Sequence, residues 1–269
     1  MPSPTADRRR VKSAERVADI LQLVARTANG LQLADVARAL GIPRSSAHAL
    51  LMDMTQSRLL EAKPGSEQTR YQIGLLAFEV GSAFLRQRNL SDEARIVVDR
   101  LAATCDENSH LAILDGREVM YVAKAESSNA VRVASYVGLR IPAHATAVGK
   151  VLLAHRRTED VVALYRSRPP EALTARTMTK LDEILIELRK VDSAGYAFDD
   201  EESTPGLQCL AVPIFDSHGT CVAALSLSAP TIRMSHLNRA ALLEVIHEHG
   251  DALSRRLGGM RVQRPAVAV

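Results

Sequence analysis

Tryptophan is absent from this sequence, and aromatic residues make up only 3% of it. Proteins that bind single-stranded nucleic acid stack its bases on aromatic side chains, so the sequence disfavours this class of function. No run approaches the roughly 20 apolar residues that a membrane-spanning helix requires. We therefore expect no membrane partner.

Cysteine is also scarce, and Cys105, Cys209 and Cys221 lie far apart in the chain. Because their number is odd and their spacing wide, we do not expect a disulfide scaffold. The basic N-terminal residues are not followed by an apolar stretch, so no secretory signal is predicted. These features favour a cytoplasmic location.

The sequence does have the composition of a globular protein, with 269 residues of which 46% are hydrophobic. At about 150 residues per domain, this length predicts two domains or one large one. Residues 1–90 carry 13 Lys and Arg against 8 Asp and Glu, whereas residues 91–269 carry 21 against 23. A basic N-terminal region followed by a near-neutral remainder suggests that the N-terminal region binds a polyanion.

The chain begins with residues 1–12, which we expect to form a flexible basic arm that could add phosphate contacts. Apolar residues then recur at helical spacing over residues 13–28. Ser13 is the candidate N-cap of this helix, and Asn29-Gly30 is the candidate stop.

Two further short helices are predicted around a tight turn at Gly41. Pro43 suits the first turn of the third helix, where its missing N–H costs nothing. The inward stripe of that helix consists of Ala47, Leu50, Leu51 and Met54. Two short strands near Leu60 and Tyr71 follow, joined by a loop, so residues 13–73 predict a winged helix–turn–helix.

The third helix is the candidate DNA reader, because a helix in the major groove presents its exposed N-terminal side chains to base edges. These side chains belong to Arg44, Ser45, Ser46, His48 and Ala49. Lys63 and Arg70 flank the wing and could hold phosphates.

Residues 74–90 predict a linker helix before a second domain over residues 91–257 and a flexible tail over residues 258–269. An apolar strip on the linker helix exceeds what a linker needs and suggests packing on a twin subunit. The strip consists of Leu75, Leu76, Val80, Phe84 and Leu85.

The second domain mixes short strands and helices, starting with a long helix over residues 91–107. Strands are expected over residues 111–114, 119–123, 131–136, 208–215 and 221–228, and helices over residues 144–155, 158–166, 180–194 and 237–257. Strands gathered into antiparallel hairpins with helices between them predict an α+β sandwich rather than a doubly wound sheet.

Several motifs in order give the chain a specific resemblance from about Ser13 to Leu257. They are SAERVADILQLV, LADVARALGIPRSSAHALL, RYQIG, VGLRIPAHATAVGKVLLA, GYAFDDEESTPGLQCLAVPIFD and VAALSLSAP. The chain resembles IclR-type transcriptional regulators. The resemblance implies an N-terminal winged helix, a helical linker, a C-terminal GAF-like effector domain, a homodimer or homotetramer, and control by a small molecule.

The resemblance also implies an effector pocket with walls from three motifs. Matched motif to motif, its residues are Ala147, Val148, Asp199, Leu207, Cys209, Ser226 and Ser228. The residues alone allow an anion site, because small residues near a helix N-terminus expose backbone N–H groups. Ser226 and Ser228 share one strand face, which without the resemblance would be assigned to solvent.

The effector implied is a small or aromatic organic acid or a derivative of one. Family members often carry Gly-Ala where this chain has Ala147-Val148. The larger valine side chain speaks against an acid as small as glyoxylate or pyruvate and leaves a larger or aromatic acid open.

The sequence gives only weaker indications of catalysis or metal binding. Cys209 could be a nucleophile, a redox sensor or a wall residue; no catalytic signature surrounds it, and a small, half-buried wall residue is favoured. Lys150 is expected at the surface of its helix, and the run 199–202 is expected to be a solvated loop apart from Asp199. His247 and His249 point to different sides of a helix, so no metal site is predicted.

Three functions remain open at this point. The leading one is a non-enzymatic regulator that binds double-stranded operator DNA under control of a small organic effector, with no cofactor. The second is a hydrolase that depends on Cys209 and carries an accessory winged helix. The third is a ligand-binding or scaffolding module whose winged helix only mediates assembly. The helix–turn–helix and the basic N-terminal region favour the first.

Overall fold

The computed structural model describes residues 11–64, 68–87, 92–129, 135–166 and 168–259. The chain divides into two compact units, Met1–Arg88 and Asn89–Val269. No helix in the described ranges is both long and apolar enough to cross a bilayer. Most of the arm and tail predicted at the two ends, residues 1–10 and 260–269, lies outside the described residues.

The described residues of the first unit form four helices and a small sheet. Its elements are α1 (Lys12–Ala25), β1 (Leu31–Gln32), α2 (Leu33–Leu40), α3 (Arg44–Gln56), β2 (Leu60–Lys63), β3 (Arg70–Ile73) and α4 (Leu75–Gln87). The sheet is antiparallel in the order β1-β3-β2. The predicted winged helix–turn–helix is therefore present, with Gly41 in the left-handed conformation that ends α2.

Two details at the start of this unit differ from the sequence prediction. Helix α1 begins at Lys12 after Val11, which makes no side-chain cap, so Ser13 is not the N-cap. The helix also ends at Ala25, and the sheet has a third strand, β1, that was not predicted. A two-residue strand carries too little periodicity to be recognised; it can form because Gly30, at φ +68°, lies directly against the backbone of Tyr71.

The second unit is centred on one six-stranded antiparallel sheet in the order β6-β5-β4-β9-β8-β7. Its strands are β4 (Asn108–Asp115), β5 (Glu118–Ala125), β6 (Arg140–Pro142), β7 (Ala197–Asp200), β8 (Leu207–Phe215) and β9 (Cys221–Pro230). Its helices are α5 (Asp92–Cys105), α6 (Ala147–Ala154), α7 (Thr158–Arg166), α8 (Leu181–Ala194), α9 (Thr231–Met234) and α10 (Arg239–Arg256).

Helices cover both faces of this sheet. Alternate residues of a strand point to opposite faces, and in β8 Ala211 joins the core formed with α6 and α8, whereas Val212 lies against Gly250 of α10. Helix α5 contacts α10, β4 and β5. The α+β class predicted from the sequence is confirmed.

Two predicted elements of this unit need correction, and two of its strands were not predicted. The helix over residues 144–155 is two pieces, a 3₁₀ turn at Ala143–Ala145 and then α6, with Thr146 extended between them. Strands β6 and β7 were not predicted. In the predicted strand over residues 131–136, residues 131–134 lie outside the described ranges, and Ser135 and Tyr136 are not in a strand.

Candidate functional site

Helix α3 has one buried face and one exposed face. Ala47, Leu51 and Met54 are buried in the core of the first unit, and Leu50 packs against that core. The candidate DNA-reading residues Arg44, Ser45, His48 and Ala49 are exposed, and Ser46 is half-buried. The structure therefore places the polar N-terminal residues of α3 on the accessible side of the helix.

The two candidate phosphate contacts lie opposite each other on the wing, because Lys63 of β2 pairs with Arg70 of β3. Lys63 forms an exposed ion pair with Glu61 at 3.7 Å. Arg70 Nη1 donates a hydrogen bond to the carbonyl of Gly30 at 3.2 Å. Arg70 thus ties the wing to the strand before α2 while its side of the wing stays exposed.

The second unit contains a cavity of about 220 Å³ between the start of α6 and the sheet. Its lining includes all seven residues matched to the effector pocket: Ala147, Val148, Asp199, Leu207, Cys209, Ser226 and Ser228. The remaining lining residues were not predicted for the pocket: His110, Tyr121, Ser135, Leu139, Ile141, Thr146, Ser203 and Thr204. Most of these come from strands and loops far apart in the chain, so sequence spacing gave no signal for them.

Strand register brings polar side chains together on the cavity side of the sheet. Asp199 pairs with Cys209, and Cys209 pairs with Ser228 on the next strand. Ser226 lies beside His110 of β4. Both serines are buried and line the cavity, so their strand face is a cavity wall and not a solvent-facing surface.

The N-terminus of α6 forms the opposite wall. Thr146 caps the helix, and its Oγ1 accepts a hydrogen bond from the N–H of Gly149 at 3.1 Å. A side chain at Gly149 would collide with the backbone of Ala143, so glycine allows the 3₁₀ turn to pack on the helix. The N–H groups of Ala147 and Val148 precede the first intrahelical bonds and carry the positive end of the helix dipole.

Asp199 is fully buried, and its carboxylate is occupied by the loop that follows β7. Oδ1 accepts the N–H of Glu202 at 2.7 Å, and Oδ2 accepts the hydroxyl of Ser203 at 2.6 Å. Burial raises the pKa of Asp199, and these hydrogen bonds oppose the rise. The side chain therefore organises the loop over the cavity.

Lys150 and Glu202 correct two expectations. Lys150 was expected at the surface, but its side chain is only 1% exposed, and Nζ lies 2.6 Å from Glu202 Oε1. Glu202 was expected in a solvated loop, but it is buried too. Helical position alone could not predict this, because α6 is covered on both sides, by the sheet and by α8.

The geometry around Cys209 disfavours nucleophilic catalysis. The thiol is buried, beyond the half-buried position expected, and burial together with the charge of Asp199 raises its pKa well above the usual range. Its hydrogen-bond partner is Ser228. A thiol nucleophile needs a lowered pKa or an adjacent base, and no histidine in the described part of the chain hydrogen-bonds this sulfur.

His110 lines the cavity as a neutral ring. Burial lowers its pKa to about 3, with a smaller contribution from Lys124. Nε2 lies 2.8 Å from the hydroxyl of Ser135, and the ring stacks on Tyr121 with centroids 4.5 Å apart. The described lining therefore holds no cationic side chain. Nor do the described residues contain a group of three His, Cys, Asp or Glu side chains that could hold a metal ion.

Family comparisons agree with this two-part arrangement. The IclR helix-turn-helix domain model matches residues 13–64, and the model of the bacterial transcriptional regulator IclR C-terminal domain matches residues 82–255. The chain belongs to the IclR family of transcriptional regulators. It is 34% identical over 244 residues to the HTH-type transcriptional regulator BhcR of Paracoccus denitrificans, covering 91% of this chain and 86% of that protein.

Other IclR-family proteins are similar over nearly their whole length. The HTH-type transcriptional regulator XynR of Escherichia coli is 32% identical over 248 residues, covering 92% of this chain and 98% of that protein. The Thermotoga maritima IclR crystal structure gives a TM-score of 0.74 at 26% identity, covering 92% and 99%. An IclR homologue from Microbacterium hydrocarbonoxydans, complexed with 4-hydroxybenzoate, gives 0.79 at 25% identity, covering 91% and 98%.

The chain is thus a DNA-binding transcriptional regulator with an effector-binding domain, in line with the leading sequence interpretation. Its relatives are named as regulators or repressors and not as enzymes. Helices α1 to α3 and strand β2 lie within or overlap the first family region, and the lining residues of the cavity lie in the second.

Proposed function

We propose that this regulator binds its operator through α3 and the wing, and that an organic acid bound in the 220 Å³ cavity changes its affinity for DNA. The observation that carries this proposal is that all seven residues matched to the effector pocket of the family line one cavity. Their positions in the chain span α6, β7, β8 and β9, so chance alone would not collect them.

The proposed DNA contacts divide into two kinds. Ser45, Ser46, His48 and Ala49 read base edges in the major groove, where hydroxyl and imidazole groups hydrogen-bond and the alanine methyl contacts thymine. Arg44, Lys63 and Arg70 hold phosphates, which positions the helix but carries no sequence information. The exposure of the α3 face supports the first group and the wing register supports the second.

The cavity suits a carboxylate held by neutral donors. The N–H groups of Ala147 and Val148 and the hydroxyls of Ser226 and Ser228 can together solvate an anion without a full positive charge. Tyr121, Leu139, Ile141 and Leu207 offer apolar surface for the rest of the ligand. Drug-sized ligands occupy pockets of about 300–1,000 Å³, so a cavity of about 220 Å³ favours a smaller acid such as a benzoate.

A relative that binds 4-hydroxybenzoate makes aromatic acids the first ligands to test. Val148 supports this choice, because its side chain lines the cavity and offers an aromatic ring more apolar surface than alanine would. Asp199 contributes by ordering the loop over the ligand, since both of its oxygens already accept loop hydrogen bonds. Its buried charge also disfavours a second carboxylate on the ligand.

We propose further that two copies of the chain pair through the apolar strip of α4. Leu75 is 55% exposed, Val80 61% and Phe84 37%, and Phe78 adds a side chain that is 69% exposed. Leu76 is half-buried, whereas the side chain of Leu85 lies outside the described residues. Pairing would present two copies of α3 to half-sites about 34 Å apart or a multiple of this distance.

Pairing of this kind gives a homodimer, or a homotetramer if a second surface also pairs.

A chain whose partner is double-stranded DNA acts where the DNA is, and we propose the bacterial cytoplasm as its location. Helix α4 follows the last wing strand and runs into the second family region, so it is also the covalent route between the DNA-binding and effector-binding parts of the chain.

The first experiment is a thermal-shift and calorimetric titration with benzoate, 4-hydroxybenzoate and pyruvate, with 4-hydroxybenzamide as the uncharged control. We expect the aromatic acids to bind and the amide to fail, because the amide lacks the anion that the helix N-terminus stabilises. A ligand at 100 times its dissociation constant adds about 2.7 kcal/mol to stability. Equal binding of acid and amide would contradict the proposed carboxylate site.

The second experiment is a footprint on the DNA beside its own gene, with and without the acid that binds. We expect a protected palindrome whose protection changes with the acid. The two affinities are reciprocally coupled, typically by 1–3 kcal/mol. A bound acid that leaves operator affinity unchanged would show that the cavity does not control DNA binding.

A further inference from the structure

A charged side chain lies in the interior of the second unit, next to the effector cavity but outside its lining. Lys150 is 1% exposed, and its Nζ is 2.6 Å from Glu202 Oε1 and donates to the carbonyl of Phe198. A second carboxylate, that of Glu187, lies 3.8 Å away. Lysine is rarely buried unless it is paired, and neither the DNA-reading helix nor the ligand contacts require a charge here.

The Lys150–Glu202 ion pair joins two walls of the cavity. Lys150 lies one turn along α6 from Ala147, which lines the cavity at the start of the helix. Glu202 belongs to the loop between β7 and β8, residues 201–206, whose Ser203 and Thr204 also line the cavity. The position of this loop relative to α6 therefore sets the width of the cavity.

Hydrogen bonds hold the same loop from two other sides. Asp199 accepts the N–H of Glu202, and the hydroxyl of Thr177 donates to the carbonyl of Glu202 at 2.7 Å. The hydroxyl of Thr174 donates to the carbonyl of Glu201 at 2.8 Å. These contacts fix the loop to β7 and to the segment before α8, so the ion pair is its charged attachment to α6.

We propose that Lys150 and Glu202 are positioning residues, whose ion pair fixes the 201–206 loop against α6 and thereby sets the affinity of the cavity for its effector. The effect on effector affinity rests on the proposed function, whereas the effect on the loop rests on the geometry alone. The pair acts without touching the ligand. A buried charge that loses its partner must be neutralised or reach water, and movement of the loop away from α6 would hydrate Glu202, which is 7% exposed.

The charges around Glu202 predict a pH signature. Lys150 on α6, Asp199 on β7 and Glu187 on α8 face this cluster, and Arg176 pairs with Glu201 and Asp200 at the outer side of the loop. Burial raises the pKa of Glu202, and the ammonium of Lys150 opposes the rise. In Lys150→Met no ammonium group opposes the effect of burial, so the pKa of Glu202 rises further.

The direction of the pH dependence follows from which form of Glu202, the neutral carboxyl or the carboxylate, tolerates burial. In Lys150→Met the neutral carboxyl of Glu202 can stay buried at low pH, so the loop stays closed. As pH rises through the raised pKa, the carboxylate forms and the loop opens to hydrate it. The affinity of this variant should therefore fall with rising pH, by up to about tenfold per pH unit for one proton, relative to the wild-type protein.

The test measures two properties of the full-length protein between pH 6 and pH 8. Hydrogen–deuterium exchange follows the loop amides, compared with wild type at the same pH and with β9 as the internal reference. Calorimetry follows binding of 4-hydroxybenzoate. The variants are Lys150→Met, the double variant Lys150→Met with Glu202→Gln, and the control Lys180→Met.

We expect Lys150→Met to exchange faster in the loop and to bind more weakly at pH 8 than at pH 6. The double variant should return both properties to within about threefold of wild type and remove the extra pH dependence, because it leaves no buried charge unpaired; such non-additivity marks a direct coupling. Lys180→Met removes an exposed pair with Glu183 at 2.8 Å and should change neither property.

Two results would overturn the proposal. One is a folded Lys150→Met protein whose loop exchanges as in wild type at pH 8. The other is a loss of 4-hydroxybenzoate affinity in Lys150→Met that is equal at all pH values and is not reduced in the double variant. This result would mean that Lys150 acts through packing alone. Failure of wild type to bind any acid would contradict the proposed effector instead, and the exchange measurement would still decide the role of the ion pair.

Discussion

Gly149→Ala tests whether the start of α6 builds the effector cavity. A Cβ atom at this position would lie 2.1 Å from the carbonyl oxygen of Ala143 and 2.4 Å from its Cα. Both are backbone atoms, so no side chain can rotate away. The 3₁₀ turn and α6 would have to separate by about 1 Å or more, because non-bonded carbon atoms prefer separations of about 3.5–4.0 Å.

The cost can be estimated from two opposing terms. Overpacking of a dense interior typically costs about 1–3 kcal/mol, and a collision with fixed backbone belongs at the upper end. Alanine is better than glycine in a helix by about 1 kcal/mol at most. The net loss is therefore about 2 kcal/mol, which for a unit of this size lowers Tm by about 4–8 °C.

The loss of affinity for the effector should be larger than the loss of folding stability suggests. Ala147 and Val148 move with the helix, and a shift of about 1 Å takes their N–H groups out of good hydrogen-bond geometry. One hydrogen bond to a charged group contributes about 1.5–3 kcal/mol, so affinity for an acid should fall at least about tenfold. Calorimetry with 4-hydroxybenzoate measures this, with thermal unfolding recorded on the same samples.

Gly81→Ala is the matched control. Gly81 is also helical, in α4, and its added Cβ would meet no atom within 4 Å. This change should leave acid binding unchanged and should stabilise α4 by up to about 1 kcal/mol. If Gly149→Ala kept both its Tm and its affinity while Gly81→Ala behaved as stated, the close packing of α6 would have no role in the site.

Three further predictions address DNA, assembly and the switch. Ser46→Ala should relax operator sequence preference by about 1–3 kcal/mol, whereas Arg44→Ala should weaken binding to all sequences and flatten its salt dependence; unchanged selectivity of Ser46→Ala in competition footprints would exclude it as a reader. Phe84→Asp should lower operator affinity by disrupting pairing, and a variant that sediments as a monomer yet binds normally would contradict this. Ser226→Ala with Asp199→Ala should bind operator but ignore the acid, which a footprint titration measures; a preserved response would remove the cavity from the mechanism.

The first unit was largely predictable because its structure is local. Helix period, the Gly41 turn and the two wing strands are all encoded within windows of a few residues, and the structure has α2, α3 and the wing at the predicted places. One failure there was local, since α1 begins at Lys12 without a side-chain cap and Ser13 has no capping role. The other was not, since β1 forms by pairing with β3, about 40 residues later in the chain. The direct DNA contacts stay predictions.

In the second unit, alternation along each strand determined which side chains share a face but not the order of the strands in the sheet. Alternation predicted that Ser226 and Ser228 share a face, and the residues alone assigned that face to solvent. Only the placement of β9 between β4 and β8, with α6 above them, made it a cavity wall. The motif resemblance identified the seven lining residues, but the strand pairing put His110 beside Ser226.

Burial of charge was decided by tertiary structure alone. Nothing in the pattern around Lys150 or Glu202 distinguishes them from surface residues, and both were expected to meet solvent. They are buried because α6 is covered by the sheet and by α8, while the loop after β7 folds back over the same helix. A local sequence window records which residues can form a helix or a strand, but whether water reaches a side chain depends on elements that are distant in the chain.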